Sequence, residues 1–215
     1  MPAPEVIVVD YGMGNLLSVS RGLEHCGAAV TVSSDPNAIR TGERVVLPGV
    51  GAFADGMAEL NRFGLGVAVR EVAQRGAPLL GICLGMQMLL DESDEFGRTA
   101  GLRLIEGRVV AIPATTAAGT PQKTPHIGWN ALRYGAGRAS WQGTLLEDTS
   151  PGDAVYFVHS FMASPNDPTH RVADCIYGER PISAVVAREN VHGCQFHPEK
   201  SGEVGLKILR RFLTL

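Results

Sequence analysis

The stretch Ala77-Pro-Leu-Leu-Gly-Ile-Cys-Leu-Gly-Met-Gln-Met-Leu-Leu90 decides the fold. Leu79-Leu80-Gly81-Ile82 is a short apolar run behind a proline and predicts a buried strand. Leu84 to Leu90 are good helix formers, so the chain passes from strand to helix within two or three residues. Between the two, Gly81-Ile-Cys83-Leu-Gly85 sets a thiol on a tight turn, with flanking glycines expected to clear room for its side chain. A helix N-terminus favours an anion there, and the Leu84 amide can point at an oxyanion formed on an attacked carbonyl. An ordinary buried cysteine would also fit the position, but would not need both glycines.

The flanking segments repeat the strand-helix theme. Glu5 to Asp10 predicts a first parallel strand, and Tyr11-Gly-Met-Gly14 a turn. A helix follows, N-capped by Asn15, with Leu16, Val19, Leu23 and Cys26 on one face and Gly27 just past its end. Ala28–Val32 predicts the next strand, Asp35-Pro36 the start of a short helix, and Arg44–Leu47 a third strand. After Pro48-Gly-Val-Gly51-Ala-Phe53, a helix over about 55–74 packs through Met57, Leu60, Val67 and Val72, weakened by Gly64 and Gly66. Beyond Gly101 the texture changes to shorter strands, expected over 102–112, 154–162, 171–177, 184–187 and 191–196. A terminal helix over 201–213 buries Val204, Ile208, Leu209 and Phe212. The expected class is α/β, with a mixed, largely parallel central sheet flanked by helices and smaller antiparallel strands in the C-terminal half.

With 215 residues, 45% apolar and 19% charged, the chain suits one domain over 1–215 with a sizeable core. A net charge of −3 supplies no field for nucleic acid. No run approaches a transmembrane length, and Met-Pro-Ala-Pro-Glu lacks a signal region. Cysteines 26, 83, 175 and 194 form no C-x-x-C pair and read as reduced thiols of a cytoplasmic protein. The glycine pairs at 12/14 and 49/51 complete no nucleotide-binding pattern.

Near the C-terminus stands Val191-His-Gly-Cys-Gln-Phe-His197-Pro-Glu199-Lys200. In an extended segment, residues two apart face the same way, so Glu199 can orient His197 and His197 can move protons for a thiol. A metal site at His192, Cys194, His197 and Glu199 is the competing reading. Alternation sets the first two opposite the last two, so no metal is expected. A surface His-Pro-Glu turn also fits this segment taken alone.

Together these stretches resemble the class I (triad) glutamine amidotransferases, flavodoxin-like in fold, over nearly the whole chain. The motifs run in order as Asp10-Tyr-Gly-Met-Gly-Asn-Leu16, Pro48-Gly-Val-Gly-Ala-Phe53, Gly81-Ile-Cys-Leu-Gly-Met-Gln87, His126-Ile-Gly-Trp-Asn130, Tyr156-Phe-Val-His-Ser160 and Gln195-Phe-His-Pro-Glu199. The first and fourth resemble the branch that works with a (β/α)8 cyclase subunit in histidine biosynthesis. Glutaminases of anthranilate, GMP or pyridoxal phosphate synthesis lack them.

The resemblance implies that Cys83 attacks the glutamine side-chain amide, with His197 as base and acid and Glu199 as its orienter. It implies an oxyanion hole from the N–H groups of Leu84 and of the 48–51 turn, Val50 foremost, with Gly51 beside it. Gln87, Glu95 and the backbone of Ser160–Phe161 would hold substrate, although tyrosine is more usual at 161. Asn15, Trp129 and Asn130 would face the cyclase in a heterodimer, and no cofactor is implied. His159 is expected to be buried and hydrogen-bonded, and residues 115–123 form a variable loop. An α/β-hydrolase shares the elbow but sets its acid far before the histidine; a DJ-1-like sensor would not need His197, Glu199 and Gln87.

Overall fold

The structure, a computed structural model, describes residues 2–215. Apolar runs alternating with amphipathic segments become β1 (Glu5–Val9), α1 (Leu16–His25), β2 (Ala29–Ser33), α2 (Pro36–Thr41), β3 (Val45–Leu47), α3 (Phe53–Arg62), α4 (Leu65–Gln74), β4 (Leu79–Ile82) and α5 (Leu84–Met88). The second half holds β5 (Leu90–Ser93), β6 (Thr99–Ala100), β7 (Ile105–Ala111), β8 (His126–Ala131), β9 (Arg133–Tyr134), β10 (Ala154–His159), β11 (Phe161–Pro165), β12 (Arg171–Tyr177), β13 (Arg180–Arg188), β14 (Val191–Cys194) and α6 (Gly202–Phe212).

Eight strands form the main sheet in the order β2-β1-β3-β4-β14-β13-β12-β9. The run from β2 to β14 is parallel, and β13, β12 and β9 continue it antiparallel. Strands β3 and β4 are buried at every residue, as expected where helices cover both faces. Alternate side chains feed two cores. Val46, Leu80 and Ile82 pack with Leu23 of α1 and Leu209 and Phe212 of α6, while Val45, Leu47 and Leu79 pack with Phe53 and Leu60 of α3 and Val69 and Val72 of α4. Each such side chain stabilises the fold by about 1.5–3 kcal/mol before entropic costs. A four-stranded sheet, β11-β7-β5-β6, and the β10-β8 ribbon complete the architecture.

Several local expectations are corrected. The helix over 55–74 is two helices, broken where Gly64 takes φ +68, and Val67 is exposed on α4 instead of packed. Helix α5 lasts only five residues before Leu90 enters β5. The strand over 154–162 breaks at Ser160, and its halves join different sheets. Asn15 precedes α1 but its side chain makes no capping hydrogen bond, whereas Asp35 does cap α2, through the Asn37 N–H at 2.9 Å. Strands β5, β6, β8 and β9 have no counterpart among the expected elements.

Candidate active site

Parallel pairing of β4 with β14 aligns Gly81 with Gly193 and Ile82 with Cys194. The residues just beyond both strands therefore emerge at one carboxyl edge, where open α/β sheets hold their ligands. The Cys83 N–H donates to Cys194 O at 2.7 Å, and Cys83 takes the strained pair φ 54, ψ −111. The two glycines serve a purpose other than the expected one. A Cβ on Gly85 would overlap Leu47 O, and one on Gly81 would lie 2.7 Å from Gly85 O and Met86 N. They let α5 approach the sheet edge backbone to backbone, and the turn leaves Cys83 buried at the wall of a cavity.

The His197 backbone is clamped. Its N–H donates to Tyr156 O at 3.0 Å, its carbonyl accepts from Ser201 Oγ at 2.7 Å, and that hydroxyl accepts the Tyr156 N–H at 3.0 Å. The shared side of His197 and Glu199 comes not from extended alternation but from a 3-10 turn over Pro198–Lys200. It brings Glu199 Oε1 to 2.8 Å from His197 Nδ1, with both side chains buried. His197 Nε2 is buried and without a hydrogen-bond partner in this geometry. Burial alone would lower its pKa, but the charge of the neighbouring Cys83, then the hydrogen bond and charge of Glu199, outweigh that and raise it to about 9.

A pH dependence follows. The raised value means that the native state favours imidazolium, so its contribution to stability is complete below the ordinary 6.5 and is lost as pH rises through about 9. A ring-proton NMR titration should find His197 protonated well above pH 6.5. Cys83→Ala should lower the midpoint; an unmoved midpoint would show that the thiol does not act on the imidazole.

Cys83, Leu84 and His197 open onto a cavity of about 410 Å³, large enough for an amino-acid-sized ligand. Gln87, Glu95, Ser160 and Phe161 form further parts of its wall. Glu95 accepts the Phe53 N–H at 2.7 Å, which sets a carboxylate at the start of α3. The Gln87 Nε2 donates to Phe161 O and to Gln195 Oε1, each at 3.1 Å. Val50 and Gly51 also line the cavity. However, the Gly49 carbonyl accepts the Leu84 N–H at 3.3 Å. The Val50 N–H shares that peptide unit and is trans to the carbonyl, so it points away from Leu84.

Asn15, Trp129 and Asn130 lie outside this cavity. Trp129 is 59% exposed on β8, beside the equally exposed Ile127, and meets Tyr156 edge to face. The Asn130 amide turns inward to Ile176 O at 2.9 Å and reaches His126 Nε2 at 3.4 Å. His159 is buried and hydrogen-bonded as expected. Sequence reasoning missed its partner His126, and also Gln195, although Gln195 stands two residues before His197 within a quoted motif. Its apolar neighbours Cys194 and Phe196 gave no signal that an amide there faces the thiol.

The sequence model of the family "Glutamine amidotransferase class-I" matches residues 7–215. The chain is 50% identical over 210 residues to imidazole glycerol phosphate synthase subunit HisH 1 of Legionella pneumophila (strain Paris), covering 98% of this chain and 99% of that one. It is 49% identical to subunit HisH of Geobacillus thermodenitrificans, covering 97% and 94%. A crystal structure of a glutamine amidotransferase superposes with TM-score 0.71 at 16% identity, over 97% of this chain and 99% of that one, a likeness of fold.

Proposed function

The chain belongs to the class I glutamine amidotransferase family, and we propose on that basis how its residues perform the work of the glutaminase subunit of an imidazole glycerol phosphate synthase in histidine biosynthesis. It hydrolyses glutamine to glutamate and ammonia. The observation that carries the assignment of roles is that Cys83 and His197 share the wall of one cavity, with the buried Glu199 hydrogen-bonded to the imidazole. His197, oriented by Glu199, holds the proton of the Cys83 thiol, and the thiolate attacks the side-chain amide carbon. The tetrahedral oxyanion is met by the N–H groups of Leu84 and Val50, with Gly51 giving that turn its freedom. His197 then protonates the departing ammonia, and water resolves the thioester to glutamate.

Glu95 takes the substrate ammonium, and Gln87 and the Ser160–Phe161 backbone take its other polar groups. The ammonia passes to the cyclase subunit, held as a heterodimer through the face carrying Asn15, Trp129 and Asn130. Glutamate release by this chain mixed with a cyclase subunit and its acceptor tests the reading. A complex that assembles and releases none overturns it.

Glu199→Gln keeps the shape of the orienting group and removes its charge. It should lower kcat by about 10²- to 10⁴-fold, less than loss of the nucleophile or base. A folded Glu199→Gln protein as inactive as one without Cys83 would show the ranking to be wrong.

A further inference from the structure

We propose that Gln195 is a positioning residue for the Cys83 nucleophile, holding the sulfur through its side-chain amide. This rests on the reading of Cys83 as the attacking group. Gln195 is fully buried between the end of β14 and His197, and its N–H is pinned to Ala184 O at 2.9 Å. Its Nε2 lies 3.8 Å from Cys83 Sγ, within reach of an N–H to sulfur hydrogen bond.

Which end of this amide faces the thiol follows from its neighbours. The carbonyl of Phe161 can only accept, and it takes Gln87 Nε2 at 3.1 Å. Gln87 therefore turns its NH₂ toward that region, and the same NH₂ reaches Gln195 Oε1 at 3.1 Å. With its oxygen engaged, Gln195 has only its NH₂ for Cys83. Phe161 O is itself fixed from behind. It accepts from His159 Nδ1 at 2.8 Å, which makes His159 Nε2 an acceptor for His126 Nδ1 at 3.0 Å. Both imidazoles are held neutral by burial, at about 4, so these donor directions stand unchanged at neutral pH. The chain of bonds leaves the thiol with the Gln195 NH₂ as a donor. A donor aimed at sulfur stabilises thiolate over thiol and fixes the direction of its lone pairs.

Were Gln195 present only to satisfy Gln87, its oxygen would be enough. Gln195→Glu keeps that oxygen and loses the donor, whereas Gln195→Met keeps the volume and loses both. Alkylation of Cys83 by iodoacetamide, followed across pH in the isolated chain, reads the thiol directly without glutamine. The midpoint should rise by about one pH unit in Gln195→Met and further in Gln195→Glu. In complex with the cyclase subunit, Gln195→Glu should lower kcat roughly tenfold with KM within about threefold. A folded Gln195→Met protein with an unshifted midpoint overturns the proposal. If neither variant folds, the Gln195 side-chain amide resonances decide. They should differ between the parent and Cys83→Ala, and identical resonances overturn the proposal. A parent chain whose Cys83 resists alkylation, and whose complex releases no glutamate, overturns instead the reading of Cys83 as nucleophile.

Discussion

Cys83→Ser should reduce glutamine hydrolysis by the assembled, acceptor-bound complex by about 10⁵-fold or more, to the background of the assay. Removing the nucleophile of a triad leaves only binding and oxyanion stabilisation, and the corresponding loss in a serine protease is about 2 × 10⁶ in kcat. Serine keeps the volume and the strained turn, so the melting temperature should stay within a few degrees of the parent. The other cysteines should not matter to the chemistry. Cys175 and Cys194 are fully buried, and burial pushes the Cys175 thiol up to about 12 and that of Cys194 higher still. Cys26 sits at the end of α1 with its sulfur against Leu206 O at 3.5 Å. Alanine at any of the three should mainly cost stability. A glutamine-like electrophile should label Cys83 alone, and labelling at another cysteine would count against the assignment.

The isolated chain should turn over glutamine about 100- to 1,000-fold more slowly than the complex with acceptor bound. Uncoupled hydrolysis would waste glutamine, and the 48–51 turn offers a device that would prevent it. The Leu84 N–H, proposed as an oxyanion donor, is occupied by the Gly49 carbonyl, and the Val50 N–H of the same peptide points elsewhere. Loss of one oxyanion donor is worth roughly 2.7–4 kcal/mol in barrier. Rotation of the Gly49–Val50 peptide would release Leu84 and turn the Val50 N–H inward. Gly51 already stands at φ +105, and a Cβ on Gly49 would overlap Tyr11 Oη, so the turn depends on glycine at both positions. Tyr11 donates to Pro48 O at 2.9 Å and steadies the preceding peptide. Binding of the partner would bias which orientation is populated. Turnover by the free chain, the complex, and the complex with acceptor analogue measures the switch, and equal rates in all three would eliminate it.

The carbonyl in this device belongs to Gly49, a detail that residue types cannot supply. Glycines on both sides of Val50 make a rotatable peptide legible in sequence; its resting orientation depends on where α5 presents Leu84. Asn130 makes the same point. Its motif resemblance implies a partner contact, and only the fold shows that its amide also donates to Ile176 O.

Sequence by itself determined the elements whose cause is local. Apolar runs behind Pro78, the helix formers after Cys83 and the Asp35-Pro36 cap specify their strand, turn and helix from neighbouring residues alone. It also supplied the residues proposed as nucleophile, base and acid, because thiol, imidazole and carboxylate each have few roles together in such motifs. Tertiary structure decided what depends on pairing across long separations. The β4–β14 register carries Cys83 to His197, the 3-10 turn brings Glu199 back onto the imidazole, and the Gln87–Gln195 amide pair faces the thiol. Parallel pairing leaves no local periodic mark on either strand, since both are buried at every residue. Side-chain amides acquire a direction only from the donors and acceptors that the completed fold sets around them.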